Sequence, residues 1–129
     1  MLHDPIADLL TRIRNAKQAK HRFVDFRPSA LKVEIVKVLH AQGFVEKYLV
    51  DDDGKRARVF LKYAEGREPV IKGLTRMSSP SLRRYVGYRQ IPRVFGGMGV
   101  AILSTPGGVV DGETARKQKL GGELLCLVW

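Results

Sequence analysis

Apolar residues in the first half of the chain recur at helical spacing and then change to strict alternation. Ile6, Leu9, Leu10 and Ile13 mark one face of a helix. Asp4-Pro5 opens it, because a carboxylate can cap the unpaired N–H groups and proline fits the first turn. Thr11, Arg12, Arg14 and Asn15 fall largely outside that stripe. Leu31, Ile35, Val38 and Leu39 predict a second helix, begun at Pro28-Ser29 with Ser29 as its cap and stopped by Gly43. A short strand or loop lies between them, around residues 23–26. Residues 44–50 are strand-like, Asp51-Asp52-Asp53-Gly54 is a turn, and residues 56–63 return as a second strand. Val59, Leu61 and Tyr63 share one face of that strand, and Arg58, Phe60 and Lys62 the other. This is a hairpin signal.

Residues 63–68 are polar with a glycine, and Pro69 follows, which predicts a linker between subdomains 1–63 and 64–129. Beyond it, residues 70–77 and 82–88 predict short strands around a Ser78-Ser79-Pro80-Ser81 turn. Residues 91–98 form a Pro- and Gly-rich connection, and residues 99–104 an apolar strand. A short helix follows near residues 113–119, and residues 123–129 are the last strand. The pattern is α+β, with helices concentrated in the first half and strands in the second.

Composition narrows the class. The chain has 129 residues, 44% of them hydrophobic, enough for a packed core and too apolar for global disorder. No apolar run reaches the roughly 18 residues of a membrane-spanning helix. The start, Met1-Leu2-His3-Asp4-Pro5, lacks a basic and apolar leader, which argues against secretion. The single cysteine, Cys126, cannot form an internal disulfide, in keeping with a reducing cytosol. Net charge is +10. Residues 1–62 hold 13 basic and 8 acidic residues and residues 63–129 hold 10 and 5, so each half carries +5. Such a balance favours polyanions, nucleic acid first and an anionic membrane second. The membrane reading needs a basic amphipathic helix with bulky anchors on a free face, and no such helix is left once the core is assigned. Between Pro69 and Val110 there is no acidic residue, whereas Lys72, Arg76, Arg83, Arg84, Arg89 and Arg93 all occur there.

Catalytic chemistry lacks a signal. His3, His21 and His40 are scattered, with no Cys or carboxylate at metal-ligand spacing. Asp51-Asp52-Asp53-Gly54 lacks the spaced ligands and terminal Glu of a calcium loop, so a turn is favoured. Gly96-Gly97-Met98-Gly99 is followed by the strand Val100-Ala101-Ile102-Leu103 rather than Lys, Ser/Thr and a helix, so it is a turn and not a phosphate loop. Ser104 has no nucleophile-elbow context. Cys126 alternates with apolar neighbours and reads as a core thiol.

The C-terminal block carries the sharpest signal. Ser104-Thr105-Pro106-Gly107-Gly108 ends an apolar strand, and Leu120-Gly121-Gly122-Glu123 opens another. Small hydroxyls and bare glycines at strand ends suit close approach to a ligand's backbone. Plainer readings stand beside this one. Ser104 and Thr105 can simply end a strand, and Tyr85 can belong to the core. Arg12 and Arg14 can be a solvated helix face, and Glu123 a salt-bridge partner. The Gly121-Gly122 pair is at minimum a helix stop.

Four segments resemble the bacterial small-subunit ribosomal protein family numbered eight. They are residues 4–16, Asp-Pro-Ile-Ala-Asp-Leu-Leu-Thr-Arg-Ile-Arg-Asn-Ala; Leu31-Lys32-Val33 with Gly43-Phe44; Ser79-Pro80-Ser81-Leu82-Arg83-Arg84-Tyr85; and, in the C-terminal block, Ser104-Thr105 with Gly108, then Ala115-Arg116 and Gly121-Gly122-Glu123. The resemblance implies two subdomains, an N-terminal α/β unit of two helices on a small sheet and a C-terminal, mostly antiparallel β unit with one short helix. It implies a non-enzymatic, cytoplasmic protein without cofactor or metal. Such a protein is a primary binder of small-subunit (16S) ribosomal RNA in the central domain, where it helps to build the platform. Implied partners are that RNA, small-subunit proteins five and twelve, and in some bacteria the protein's own messenger, whose translation it represses. A repressor using the same surface is the alternative within binding, and a small enzyme acting on a phosphorylated ligand is the alternative outside it.

Residues matching the family's RNA contacts are Ser104, Thr105, Gly121, Gly122 and Glu123, with Tyr85 against sugar or base and Arg83 on phosphate. Thr11, Arg14, Asn15, Ser29 and Lys32 match N-terminal contacts. One departure stands out. The family usually continues its Ser-Thr pair with Ser, Lys and Gly, whereas this chain has Pro106-Gly107-Gly108. A hydroxyl and a charge are lost, and Pro106 fixes a backbone angle and removes an N–H.

Overall fold

Helix α1 spans Pro5–Gln18 and buries Ile6, Leu9, Leu10, Ile13 and Ala16, the stripe its spacing predicts. The computed structural model describes residues 3–129; Met1 and Leu2, which open the expected leaderless start, lie outside the described residues. Each fully buried Leu or Ile contributes about 1.5–3 kcal/mol of transfer free energy, so this one face largely accounts for the helix's place in the core. The helix ends without glycine. Lys20 takes the left-handed conformation at φ 56°, and the His21 N–H reaches back to the Ala16 carbonyl at 2.9 Å.

Helix α2 covers Ala30–Ala41. Ser29 caps it as expected, its hydroxyl accepting from the Lys32 N–H. Gly43, at φ 82°, stops it, and the Phe44 N–H bonds the Leu39 carbonyl at 2.8 Å. The buried stripe is rotated from the predicted one. Lys32, Ile35, Val36 and Leu39 are buried, whereas Leu31 and Val38 are half-buried. The cause is Lys32. Its stem lies along the apolar face, and its ammonium donates to the Arg27 carbonyl at 2.7 Å, so a lysine occupies a core position without stranding its charge.

Three antiparallel strands, β1 (Phe23–Phe26), β2 (Val45–Val50) and β3 (Ala57–Leu61), pair in the order β1-β3-β2. Val24 and Phe26 face the core with Ala57 and Val59, while Phe23 and Asp25 lie on the outer face opposite Phe60 and Arg58. The predicted linker closes on itself. Tyr63 bridges Pro69, the Ala64 N–H bonds the Glu68 carbonyl at 2.8 Å, and the Tyr63 hydroxyl donates to the His21 carbonyl. The chain divides into two compact units, Pro5–Lys72 and Gly73–Trp129, with Asp4 in the second.

In the second unit five strands form one antiparallel sheet: β4 (Leu74–Arg76), β5 (Tyr85–Val86), β6 (Val100–Thr105), β7 (Gly108–Asp111) and β8 (Gly122–Val128). β8 is central. β6 flanks it on one side, with β7 beyond; β4 and β5 take the two ends of its other side. One face packs Leu103 and Leu124 against Ile91, Val94 and Ala115, the last on helix α3 (Gly112–Lys117). The strands before Tyr88 are shorter than predicted. Gly73, just before β4, exchanges both backbone hydrogen bonds with Trp129 and lies beneath its ring, where a Cβ would sit 2.4 Å from the indole. After Val86 the chain enters a 3-10 turn over Tyr88–Gln90. β7 has no counterpart in the sequence pattern: Pro106-Gly107 is a hairpin turn, and Gly108, at φ 105°, supplies the left-handed residue that such a loop needs.

Helix α3 is capped by Asp111, whose carboxylate accepts from the Thr114 N–H and hydroxyl at 3.1 and 2.6 Å. It stops at Lys119 (φ 56°), with the Leu120 N–H on the Ala115 carbonyl. The Gly121-Gly122 pair is therefore not the stop that the sequence predicts.

Candidate nucleic-acid interface

Sheet register assembles the C-terminal candidates. Tyr85 on β5 faces Glu123 on β8, and Glu123 faces Ser104 on β6. Directly opposed residues lie on the same face of an antiparallel sheet, about 4.5–5.5 Å apart at Cβ, so these three form one row across three strands. Arg83, two residues before Tyr85, joins them with its guanidinium 2.9 Å from Glu123 Oε2. Tyr85 is 71% exposed, which removes its ring from the core.

Glu123 is the best-held group in the row. Its Oε2 accepts from both the Ser78 hydroxyl and Arg83. Burial alone would favour the neutral acid, but those two hydrogen bonds and the charges of Arg83 and Arg76 outweigh it and hold the carboxyl below its ordinary range. Both bonds fall on one oxygen, so Oε1 retains acceptor capacity. The sequence places Ser78 only in a turn. It is fully buried and also accepts from the Arg84 N–H at 3.1 Å. No local signal separates it from Ser79 and Ser81; only the fold selects it.

The Ser104–Thr105 pair is split. Successive strand residues alternate faces, so Ser104 stands with Tyr85 and Glu123 while Thr105 leaves from the opposite face, into the hairpin turn. The Thr105 hydroxyl donates to the Gly108 carbonyl at 2.8 Å and accepts from the Gly107 N–H at 3.1 Å. These two bonds hold the Pro106 turn. Gly121 and Gly122 also serve the fold. A Cβ on Gly121 would lie 2.4 Å from the Val86 carbonyl oxygen, and one on Gly122 would lie 2.1 Å from that of Ser104. The close approach their sequence suggests is an approach to the protein's own backbone.

The N-terminal candidates lie on the other unit. Thr11 and Asn15 are exposed on α1 one turn apart, and Arg14 beside them is half-buried. Ser29 is exposed but caps α2, and Lys32 is buried with its ammonium on a carbonyl. The acid-free basic stretch is also sorted. Lys72, Arg84, Arg89 and Arg93 are exposed. Arg76 is not a surface cation: it is largely covered, pairs with Asp4 at 3.1 Å and donates to the Leu125 carbonyl.

Among the described residues no His, Cys, Asp or Glu cluster could hold a metal ion, and no helix is long and apolar enough to cross a membrane. Cys126 is fully buried, and burial pushes its thiol up to about 12.

The family model described as ribosomal protein S8 matches residues 4–129. The chain belongs to the ribosomal protein S8 family. Curated relatives agree over essentially the whole length. The small ribosomal subunit protein uS8 of Protochlamydia amoebophila is 52% identical over all of this chain and 99% of its own. That of Chlamydia pneumoniae is 55% identical over all of this chain and 98% of its own, and that of Solibacter usitatus 50% over the full length of both. The S8 family is one of ribosomal proteins and not of enzymes, and the α+β fold with two antiparallel sheets is the one expected of a member.

Proposed function

We propose that this chain is a cytoplasmic component of the small ribosomal subunit that binds 16S ribosomal RNA in its central domain, where it orders an irregular helix during platform assembly. Full-length similarity to proteins named for the small subunit supports the setting. The observation that carries the RNA reading is the cross-strand row Tyr85–Glu123–Ser104 with Arg83 at its edge.

Each member offers what an RNA groove requires. The shallow minor groove of an A-form helix displays 2′-hydroxyls and base edges, and irregular loops expose further edges. The Ser104 hydroxyl both donates and accepts there. Glu123, kept ionised, presents Oε1 as an acceptor for a base amino group. The exposed Tyr85 ring lies flat against a sugar or base, and Arg83 meets phosphate while holding Glu123 in place. Phosphate contacts set position and edge contacts set sequence. Thr11, Arg14 and Asn15 add a second contact line on α1. Thr105, Gly121 and Gly122 act indirectly, by shaping the strand ends that carry Ser104 and Glu123.

The test is a comparison of affinities for a central-domain RNA fragment and for a bulk duplex of equal length. Ser104→Ala weakens the first about fivefold, one hydrogen bond's worth, and leaves the second unchanged. Equal losses on both RNAs would remove the row as a specificity element. In growing cells the protein sediments with the small subunit; recovery only as free protein contradicts the reading.

A further inference from the structure

The outer face of the β1-β3-β2 sheet is built differently from a plain solvated surface. Phe60 sits on its central strand, opposite Phe23, with ring centroids 5.9 Å apart. Lys47 and Arg22 stand over the Phe60 ring, at 4.7 and 5.7 Å. The Arg58 guanidinium lies 3.8 Å from the Phe23 centroid. Asp25 grips the same guanidinium in a fork, at 2.7 and 3.1 Å. The fork fixes one edge and the ring covers one face, so the other face of a rigid, planar cation is offered outward. Covering Phe60 explains only part of this, since Phe23 remains 38% exposed and Leu49, opposite Arg58, 57%.

Aromatic rings and guanidinium planes on an antiparallel sheet, framed by cations, are the chemistry that stacks unpaired bases and follows their phosphates. Arg22, Lys47, Arg56 and Arg58 against Asp25 and Asp51 leave the face positive. We propose that this sheet face is a second nucleic-acid surface, one that takes single-stranded RNA by stacking a base on the outward face of the Arg58 guanidinium, which the Phe23 ring backs. It shares no residue with the Tyr85–Glu123–Ser104 row. Because Arg58 is already locked by Asp25, little side-chain freedom is lost on binding.

Amide NMR of the full chain, titrated with a uridine octamer and separately with an RNA duplex, tests this. The octamer is expected to shift amides at residues 22–25, 47–49 and 58–60, with weaker effects from the duplex. Phe23→Leu keeps the apolar cover but loses the ring, and Arg58→Lys keeps the charge but loses the plane. Each should weaken octamer binding about fivefold or more. Unchanged affinity in both variants, shifts confined to the Tyr85–Glu123–Ser104 row, or equal response to the duplex overturns the proposal. So do concentration-dependent shifts at these amides without RNA, which would assign the face to a second copy of the chain. Failure here with intact binding of the central-domain fragment leaves the reading of the C-terminal row standing, and the reverse result separates the two equally well.

Discussion

Two glycine pairs of the C-terminal unit, Gly107-Gly108 and Gly121-Gly122, differ in what makes them glycine. Gly107-Gly108 belongs to a turn. Gly108 has open space around its missing Cβ but sits at φ 105°. Gly121-Gly122 has ordinary backbone angles and no space, being wedged between the Val86 and Ser104 carbonyls. In the first pair Gly108 answers to backbone conformation, while Gly107 has a Leu120 methyl 3.1 Å from its missing Cβ; the second pair answers to sterics. Neither needs a ligand to explain it, and the proposed recognition row is the set of side chains beside the wedge: Tyr85, Glu123 and Ser104.

The strongest way to break this comparison is to add a methyl group at each site. Gly122→Ala drives a Cβ into the Ser104 backbone and should cost about 3 kcal/mol or more, read as a fall in the urea midpoint. Gly108→Ala meets no atom and should cost only about 1–2 kcal/mol, the strain of a left-handed alanine. Equal costs would show that the wedge relaxes freely.

The row itself is sharpened by charge. On the proposed reading Arg83→Ala removes a phosphate contact, and it uncovers Glu123, so it should weaken binding to all RNAs and flatten the salt slope by about one charge. Adding Glu123→Gln to it should restore part of the affinity for bulk duplex, because the uncovered anion is gone. No restoration would mean that Glu123 does not face the RNA.

Glu123 also makes a pH prediction. Its folded pKa lies below the ordinary 4.5, so its stabilising effect is complete above that value and is lost as pH falls through the depressed one. The stability advantage of the native chain over Glu123→Gln should therefore shrink between neutral pH and pH values below 4.5, in denaturant titrations at each pH. A constant gap would contradict the hydrogen-bonded carboxylate.

The smallest effects separate the adjacent hydroxyls. Thr105→Ala should lower hairpin stability by about 1 kcal/mol, seen as faster amide exchange at Gly107, and Thr105→Ser should restore it. Ser104→Ala should leave stability unchanged and act on RNA affinity alone.

Much of the fold is legible from periodicity, and the exceptions share a cause. The α1 stripe, the Ser29 cap, the Gly43 stop and the 51–54 turn follow from local chemistry, and each appears in the structure. Lys32 misleads because hydropathy weighs its ammonium and not its stem, which rotates the predicted face of α2. β7 hides because Val109 and Val110 are too few to show alternation. Lys119 stops α3 in a conformation usually signalled by glycine, so the stop was expected two residues later. In the candidate site, residue types are legible and their commitments are not. The hydroxyl of Thr105, the guanidinium of Arg76 and the two wedged glycines are each taken by partners distant in sequence or supplied by the turn. Only register shows that Ser104, Glu123 and Tyr85 stand in one row.

Chemical footprinting of small-subunit ribosomal RNA with the native chain and with the Tyr85→Ala, Ser104→Ala double variant bears most directly on that row. Matching circular dichroism of the two proteins ensures that only the surface differs. Protection of one irregular central-domain helix by the native chain, absent with the variant, is the predicted result. Identical protection by both would contradict the assignment of the row to RNA.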